Sequence, residues 1–195
     1  MTTKNRRTTD VDRALQSLGA LPSARPHFAL VVVAGLPGTG KSAFSRDLAL
    51  RTGAVILESD AIRRLLFERP SYSWWESRRL FAALHTAVEK LLDAGISCIV
   101  DATNLAERYR RPLYDVAEKC RAKLVVVEVT APAEVALQRL SERAAAPDSS
   151  SDADAAIYQR MRREWEEIQR DHFAVDTSKP TAKAVAAIAR EMERP

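Results

Sequence analysis

Gly35, four residues, then Gly40, Lys41 and Ser42 spell G-x-x-x-x-G-K-S, a spacing that has a mechanism behind it. Glycines permit backbone conformations closed to other residues, so peptide N–H groups can turn toward one point. The start of a following helix adds its own unpaired N–H groups, and together these make an anion cradle. Lys41 can reach the β- and γ-phosphates of a nucleotide, and the Ser42 hydroxyl can stand on a magnesium ion. The nucleotide-contacting set is therefore Gly35, Leu36, Pro37, Gly38, Thr39, Gly40, Lys41, Ser42 and Ala43. An apolar run over 28–33 enters the motif, and Ala43, Phe44, Leu48 and Ala49 leave it in an amphipathic pattern. That is the strand–loop–helix setting this chemistry needs.

Phosphoryl transfer needs charge neutralisation and positioning more than covalent chemistry. Three further carboxylates stand where apolar runs end. Asp101 closes SCIVD and suits a magnesium ligand beside Ser42. Asp60 follows AVILES and suits a group that accepts the proton of an attacking hydroxyl, although alone it would serve equally as a helix cap. Asp176 reads first as a cap. Arg139 and Arg143, four apart, share one helix face, and a Pro-, Ser-, Asp- and Ala-rich stretch then leads to Arg160, Arg162 and Arg163. Residues 139–163 thus read as a lid whose cations close over a phosphate, the bland alternative being a solvated pair of charged helices. Arg63, three residues after Asp60, can reach an anionic acceptor. Tyr72, Trp74 and Trp75 either stack on a base or sugar or anchor their loop. His85 reads as a partly buried core histidine.

These groups must be held by an alternation of elements. The pattern predicts strands at 28–33, 54–58, 96–100, 123–129 and 172–175. Helices are predicted at 41–51, 60–68, 74–93, 111–121, 132–145, 154–171 and 180–192. A short helix reaching Leu18, capped by Asp10 or Asp12, lies in an N-terminal extension over 1–27; the domain proper is 28–195. Continuous apolar strands alternating with helices mean a parallel α/β sheet with helices on both faces, and ligands in such sheets bind at the carboxyl ends of the strands.

The chain has 195 residues, 46% hydrophobic and 29% charged, enough for one domain. No apolar run nears membrane-spanning length, and no signal segment follows the basic N-terminus, so a cytoplasmic protein is expected. Cys98 and Cys120 have neither metal-ligand nor disulfide spacing. Lys4, Arg6 and Arg7 carry three of the four net positive charges, which leaves a near-neutral body and little reason to expect a phosphate-tracking surface.

The ordered set GLPGTGKS, SDAIRR, VDATN followed by arginines, RLSER with SSSDADAA, and VDTSKP resembles the P-loop kinases that include polynucleotide 5′-hydroxyl kinases, zeta toxins, chloramphenicol phosphotransferase and many bacterial proteins described only as kinases. The resemblance runs from about 28 to 180. It implies a P-loop NTPase three-layer sandwich, a five-stranded parallel sheet of order 2-3-1-4-5, a helical lid, and ATP with Mg2+ as cofactors. It also implies that Asp60 activates the acceptor, that Arg63, Asn104 and Arg110 (with Arg108 and Arg111 competing) hold it, that Ser42 and Asp101 carry the metal, and that Lys41, Arg139 and Arg143 act on the transferring phosphate. Ala43 departs from the threonine common among such proteins. The expected activity is transfer of the γ-phosphate of ATP to a hydroxyl, with a small molecule as first choice and a polynucleotide 5′-hydroxyl as second. From another class, a nucleotide-binding switch or slow ATPase acting on a partner is the alternative, and a toxin-like sugar-nucleotide kinase is a third. A ring-forming mechanical ATPase is not expected.

Overall fold

The computed structural model describes residues 9–144 and 155–194. Its elements in chain order are α1 (Asp10–Gln16), β1 (Ala29–Ala34), α2 (Lys41–Thr52), β2 (Val55–Glu58), α3 (Ser59–Leu66), α4 (Trp74–Asp93), β3 (Cys98–Asp101), α5 (Glu107–Lys119), β4 (Lys123–Thr130), α6 (Ala133–Ala144), α7 (Ala155–Arg163), β5 (Phe173–Asp176) and α8 (Ala182–Met192). All strands are parallel, in the order β2-β3-β1-β4-β5. This is the expected sheet, with the glycine-rich loop leaving its central strand.

Strand periodicity divides the core. Successive side chains of a strand point to opposite faces. In β1, Leu30, Val32 and Ala34 enter one apolar cluster, with Leu80, Leu84, Val88 and Leu113. Ala29, Val31 and Val33 enter the other, with Phe44, Leu48 and Ile188. Every residue of β1 is buried, which is why it reads as an unbroken apolar run. Helix α4 has the predicted bounds, and Gly95 at φ +70° turns the chain just beyond it. Among the described residues no helix is long and apolar enough to cross a membrane.

Three predicted boundaries shift for physical reasons. Helix α5 begins at Glu107 rather than 111 and keeps Pro112 inside it. A proline there forgoes an intrahelical bond, while the amides of Tyr109 and Arg110 still reach the Ala106 carbonyl. Helix α7 ends at Arg163, not at 171. Beyond it the amide of Glu166 donates to the Leu105 carbonyl and the carbonyls of Glu166 and Glu167 accept from Arg110, so this stretch is held by the loop before α5. Helix α1 is capped by Thr9, not by Asp10 or Asp12: the Thr9 hydroxyl accepts from the Asp12 amide, and the Asp12 carboxylate accepts from the Thr9 amide.

Helix α1 is fastened to the domain in two ways. Ala14 is fully buried in the cluster beneath α4, and the Arg79 guanidinium donates to Asp10 at 2.8 Å. The ion pair is partly solvated, so burial is the stronger tie. Ala14→Asp, which places an unpaired charge in the core, is expected to lower unfolding free energy by about 3 kcal/mol or more. Asp10→Ala is expected to lower it by less than about 1 kcal/mol. Urea denaturation of both variants checks the ranking.

Candidate functional site

The site starts from the way β1 ends. The Gly35 amide donates to the Thr103 carbonyl at 3.0 Å, so the loop after β1 is tied to the loop after β3. A side chain at Gly35 would meet the Val129 carbonyl, and one at Gly38, where φ is +77°, would meet the Ala136 carbonyl of α6. Glycine is required at both positions because neighbouring backbones press against the loop. Gly40 caps α2 without any side-chain bond, leaving the first N–H groups of that helix for an anion. The Lys41 ammonium and the Thr39 hydroxyl both donate to the Leu36 carbonyl at 2.8 Å, which draws the loop around its own centre.

Beneath Lys41 lies Asp101. Strand register sets it beside Val33 of β1 and Glu58 of β2. The Ser42 hydroxyl lies near enough to lower its pKa, Asp101 is 3% exposed, and its Oδ2 has no partner. Burial raises its pKa, and the Lys41 charge works against that rise. The carboxyl of half-buried Glu58 is raised too, first by burial and then by Asp101. Asp60 is exposed in the first turn of α3, and its side chain does not cap that helix. Asp176, by contrast, accepts from the amide and hydroxyl of Ser178 and pairs with Lys179: it is a turn residue.

On the other flank Arg139 reaches the loop from α6. It donates to the Thr177 hydroxyl at 2.8 Å and the Thr177 carbonyl at 3.0 Å, and the Thr177 hydroxyl donates to the Thr39 carbonyl at 2.6 Å. Thr177, just past β5, thereby joins α6 to the glycine loop. Buried Tyr158 of α7 packs with Ala136 and Leu140 of α6. Arg143 lies on α6, but its side chain falls outside the described residues, as does the segment 145–154 of the expected lid.

The expected acceptor-binding residues separate. Arg63 is buried, 3.6 Å from the Glu76 carboxylate, donates to Ser77, and lies under the Tyr72 ring at 4.7 Å. Asn104 donates to the Val33 carbonyl and holds the end of β1. Arg110 is a correction. It is fully buried, and its guanidinium donates to the carbonyls of Asn104, Leu105, Glu166 and Glu167. It binds the chain to itself rather than facing a ligand. Arg108 and Arg111 are exposed and pair with Glu166 and Asp115. Trp75 meets the Phe67 ring edge-on, while Trp74 is 75% exposed beneath the guanidinium of Arg78. His85 is mostly buried and burial lowers its pKa, as a core histidine requires.

Sequence reasoning missed Arg46, Glu58 and Arg64. With Ser42 and Asp101 they line a cavity of about 470 Å³ beside β2. Arg46 could have been found from its place one turn after Ser42. Arg110→Ala would leave a void and four carbonyls without their donor, and is expected to destabilise the protein by about 3 kcal/mol or more in chemical denaturation.

With this geometry in view, similarity to known proteins is informative. A family model described as an AAA domain matches residues 30–168. L-seryl-tRNA(Sec) kinase of Methanococcus maripaludis is 28% identical over 116 residues, 58% of this chain, and the match spans 46% of that protein's length. Kti12 of Chaetomium thermophilum, solved with ADP-AlF3, superposes with a TM-score of 0.68 at 20% identity, over 85% of this chain and all of that one. APS kinase CysC of Mycobacterium tuberculosis, solved with AMPPNP and APS, gives 0.65 at 17% identity, over 87% of this chain and all of that one. At these identities the two structures speak for fold: a P-loop kinase-like sandwich. The chain belongs to the AAA domain family, whose model runs from β1 through α7 and ends before β5.

Proposed function

We propose that the protein is an ATP- and Mg2+-dependent phosphotransferase that moves the γ-phosphate of ATP to a hydroxyl of a small molecule. The observation that carries this reading is the Ser42–Asp101 contact directly under the glycine loop and Lys41. Magnesium fits there: a buried carboxylate oxygen has no partner, and a hydroxyl lies against the same group. Ser42 and Asp101 would hold the ion, and when bound it would supply positive charge to the phosphate oxygens. The loop amides and Lys41 hold the phosphates in place. Asp60, exposed at the end of β2, takes the proton of the acceptor hydroxyl as its oxygen attacks the γ-phosphorus, and the bond to the bridging oxygen breaks to release ADP. Arg139 fixes the loop from the lid side, and Arg143, one turn along α6, is assigned to the transferring phosphate. Arg63, Asp60's neighbour on α3, is assigned to the acceptor side. A nucleic-acid end is the second acceptor class, favoured by the tRNA substrate in the name of the archaeal relative.

The test is incubation with γ-labelled ATP, magnesium and a broad pool of hydroxyl compounds. Lys41→Ala and Asp60→Asn are each expected to lower transfer about a hundredfold or more with the fold intact by circular dichroism. Unchanged transfer in Asp60→Asn removes that residue from the mechanism. Label found only in free phosphate in the unaltered protein favours a switch or slow ATPase. Asp101→Asn separates stability from binding: relieving a buried charge is expected to stabilise the ligand-free protein by about 1 kcal/mol. The same variant is expected to lose magnesium-dependent nucleotide binding. Urea denaturation and calorimetric titration read the two effects.

A further inference from the structure

The peptide between Thr39 and Gly40 is gripped from outside the glycine loop. Among the described residues every peptide bond is trans, so a carbonyl and the amide that follows it point in opposite directions. Whatever fixes the Thr39 carbonyl therefore aims the Gly40 amide. The Thr177 hydroxyl does this at 2.6 Å, against a residue only 3% exposed. Thr177 is itself anchored, because its amide donates to the Thr130 carbonyl at the end of β4 at 2.9 Å. Its hydroxyl oxygen also accepts from Arg139 at 2.8 Å, so one oxygen donates to the loop and accepts from α6. The fit is close: a Cβ at Gly40, where φ is +85°, would come within 3.0 Å of the Thr177 hydroxyl and 3.3 Å of the Arg139 guanidinium.

The neighbouring carbonyls are met in the same way. That of Gly38 accepts from Arg139 at 3.4 Å, and that of Leu36 accepts from Lys41 and Thr39 at 2.8 Å. Carbonyls at 36, 38 and 39 are thus all turned to donors of the protein, and a cradle held in shape this way spends less of its binding energy on ordering. Thr177 also lies past residue 168, where the family model ends. The last support of the cradle comes from outside the matched span.

We propose that Thr177 is a positioning residue of the nucleotide site. Through its hydroxyl, α6 and the end of β4 hold the Gly40 amide toward the phosphates, and Thr177 and Arg139 together act on nucleotide affinity rather than on the transfer step. This rests on reading the glycine loop as an ATP site, and ADP binding without any acceptor tests it apart from transfer. Calorimetric titration of ADP and magnesium into the full-length protein would compare Thr177→Val, Thr177→Ser and Arg139→Met. Thr177→Val keeps the shape and removes the hydroxyl, and is expected to raise the dissociation constant of ADP about tenfold. Thr177→Ser restores the hydroxyl and is expected to stay within about threefold of the unaltered protein. Arg139→Met is expected to weaken ADP about tenfold as well, and the double variant to lose less than the product of the two, since both act through one oxygen. With γ-labelled ATP, whichever product takes the label, Thr177→Val is expected to raise KM about tenfold and leave kcat within about threefold.

The inference is overturned if Thr177→Val binds ADP as the unaltered protein does, if serine fails to restore affinity, if the two losses multiply, or if kcat falls while KM holds. An unaltered protein that binds no ADP overturns it too. Weak ADP binding that serine rescues, in a protein that labels no hydroxyl, would leave the positioning role standing and overturn the phosphotransferase reading alone.

Discussion

The close approach of the loop after β1 to its neighbours is the constraint from which the rest of the site follows. Gly35 lies against the Val129 carbonyl, Gly38 against the Ala136 carbonyl, and the Gly35 amide is bonded to Thr103. A Cβ at Gly35 would push the loop off the end of β4, and one at Gly38 would push it off α6. Because the loop sits so low, Ser42 at the start of α2 falls onto Asp101 at the end of β3, and α6 comes near enough for Arg139 to bridge to Thr177. The parallel register does the rest: it sets Val33, Asp101 and Glu58 side by side on adjacent strands. Two carboxylates, Asp101 and Glu58, thus reach one edge without any long-range search by side chains.

Buried polar groups then lock this edge in place. Asn104, at φ +46°, spends its amide on the Val33 carbonyl, so the chain leaving β3 is fixed to the end of β1. Arg110 binds the loop 104–105 to the chain at 166–167. A buried guanidinium is tolerated because carbonyl oxygens meet its N–H groups. The outcome is a scaffold in which the segment after α7 is roped to the base of the site, while α6 and α7 meet through the small Tyr158 cluster.

How much of this could be read in the sequence depends on how local each signal is. The glycine loop, the all-apolar β1 and the repeat of Leu80, Leu84, Val88 and Leu91 in α4 are local, and each was legible. The sheet order came through the resemblance of ordered motifs rather than through any single one. Arg110 was misread because an arginine after D-x-T-N looks the same whether it faces a ligand or carbonyls more than fifty residues away. The end of α7 was misread because 164–171 keeps a charged, helix-like composition while tertiary bonds take its backbone. Glu58 was passed over as part of a strand ending, since its neighbour Asp101 is supplied by register, not by sequence distance. The place of Ser17 and Leu18 in the lining of the cavity depends on where α1 docks, and composition says nothing of that.

Asp101 shows how function is bought against stability here. A carboxylate 3% exposed, with one oxygen unpaired, is a poor thing to bury in a protein that has nothing else to gain from it. Its position could have been filled by an apolar residue continuing the run of β3. Lys41 offsets part of the penalty through its charge, and the nearby Ser42 hydroxyl offsets another part. What is left over is an unmet demand for positive charge at one point, fixed by backbone on three strands. Such local conflicts, standing in an otherwise self-consistent fold, mark functional positions. The same reasoning covers the cavity next to it, where Arg46 and Arg64 stay exposed and unbonded among the described residues while Glu58 is half-buried beside Asp101. A chain selected only for stability would pair or remove these groups.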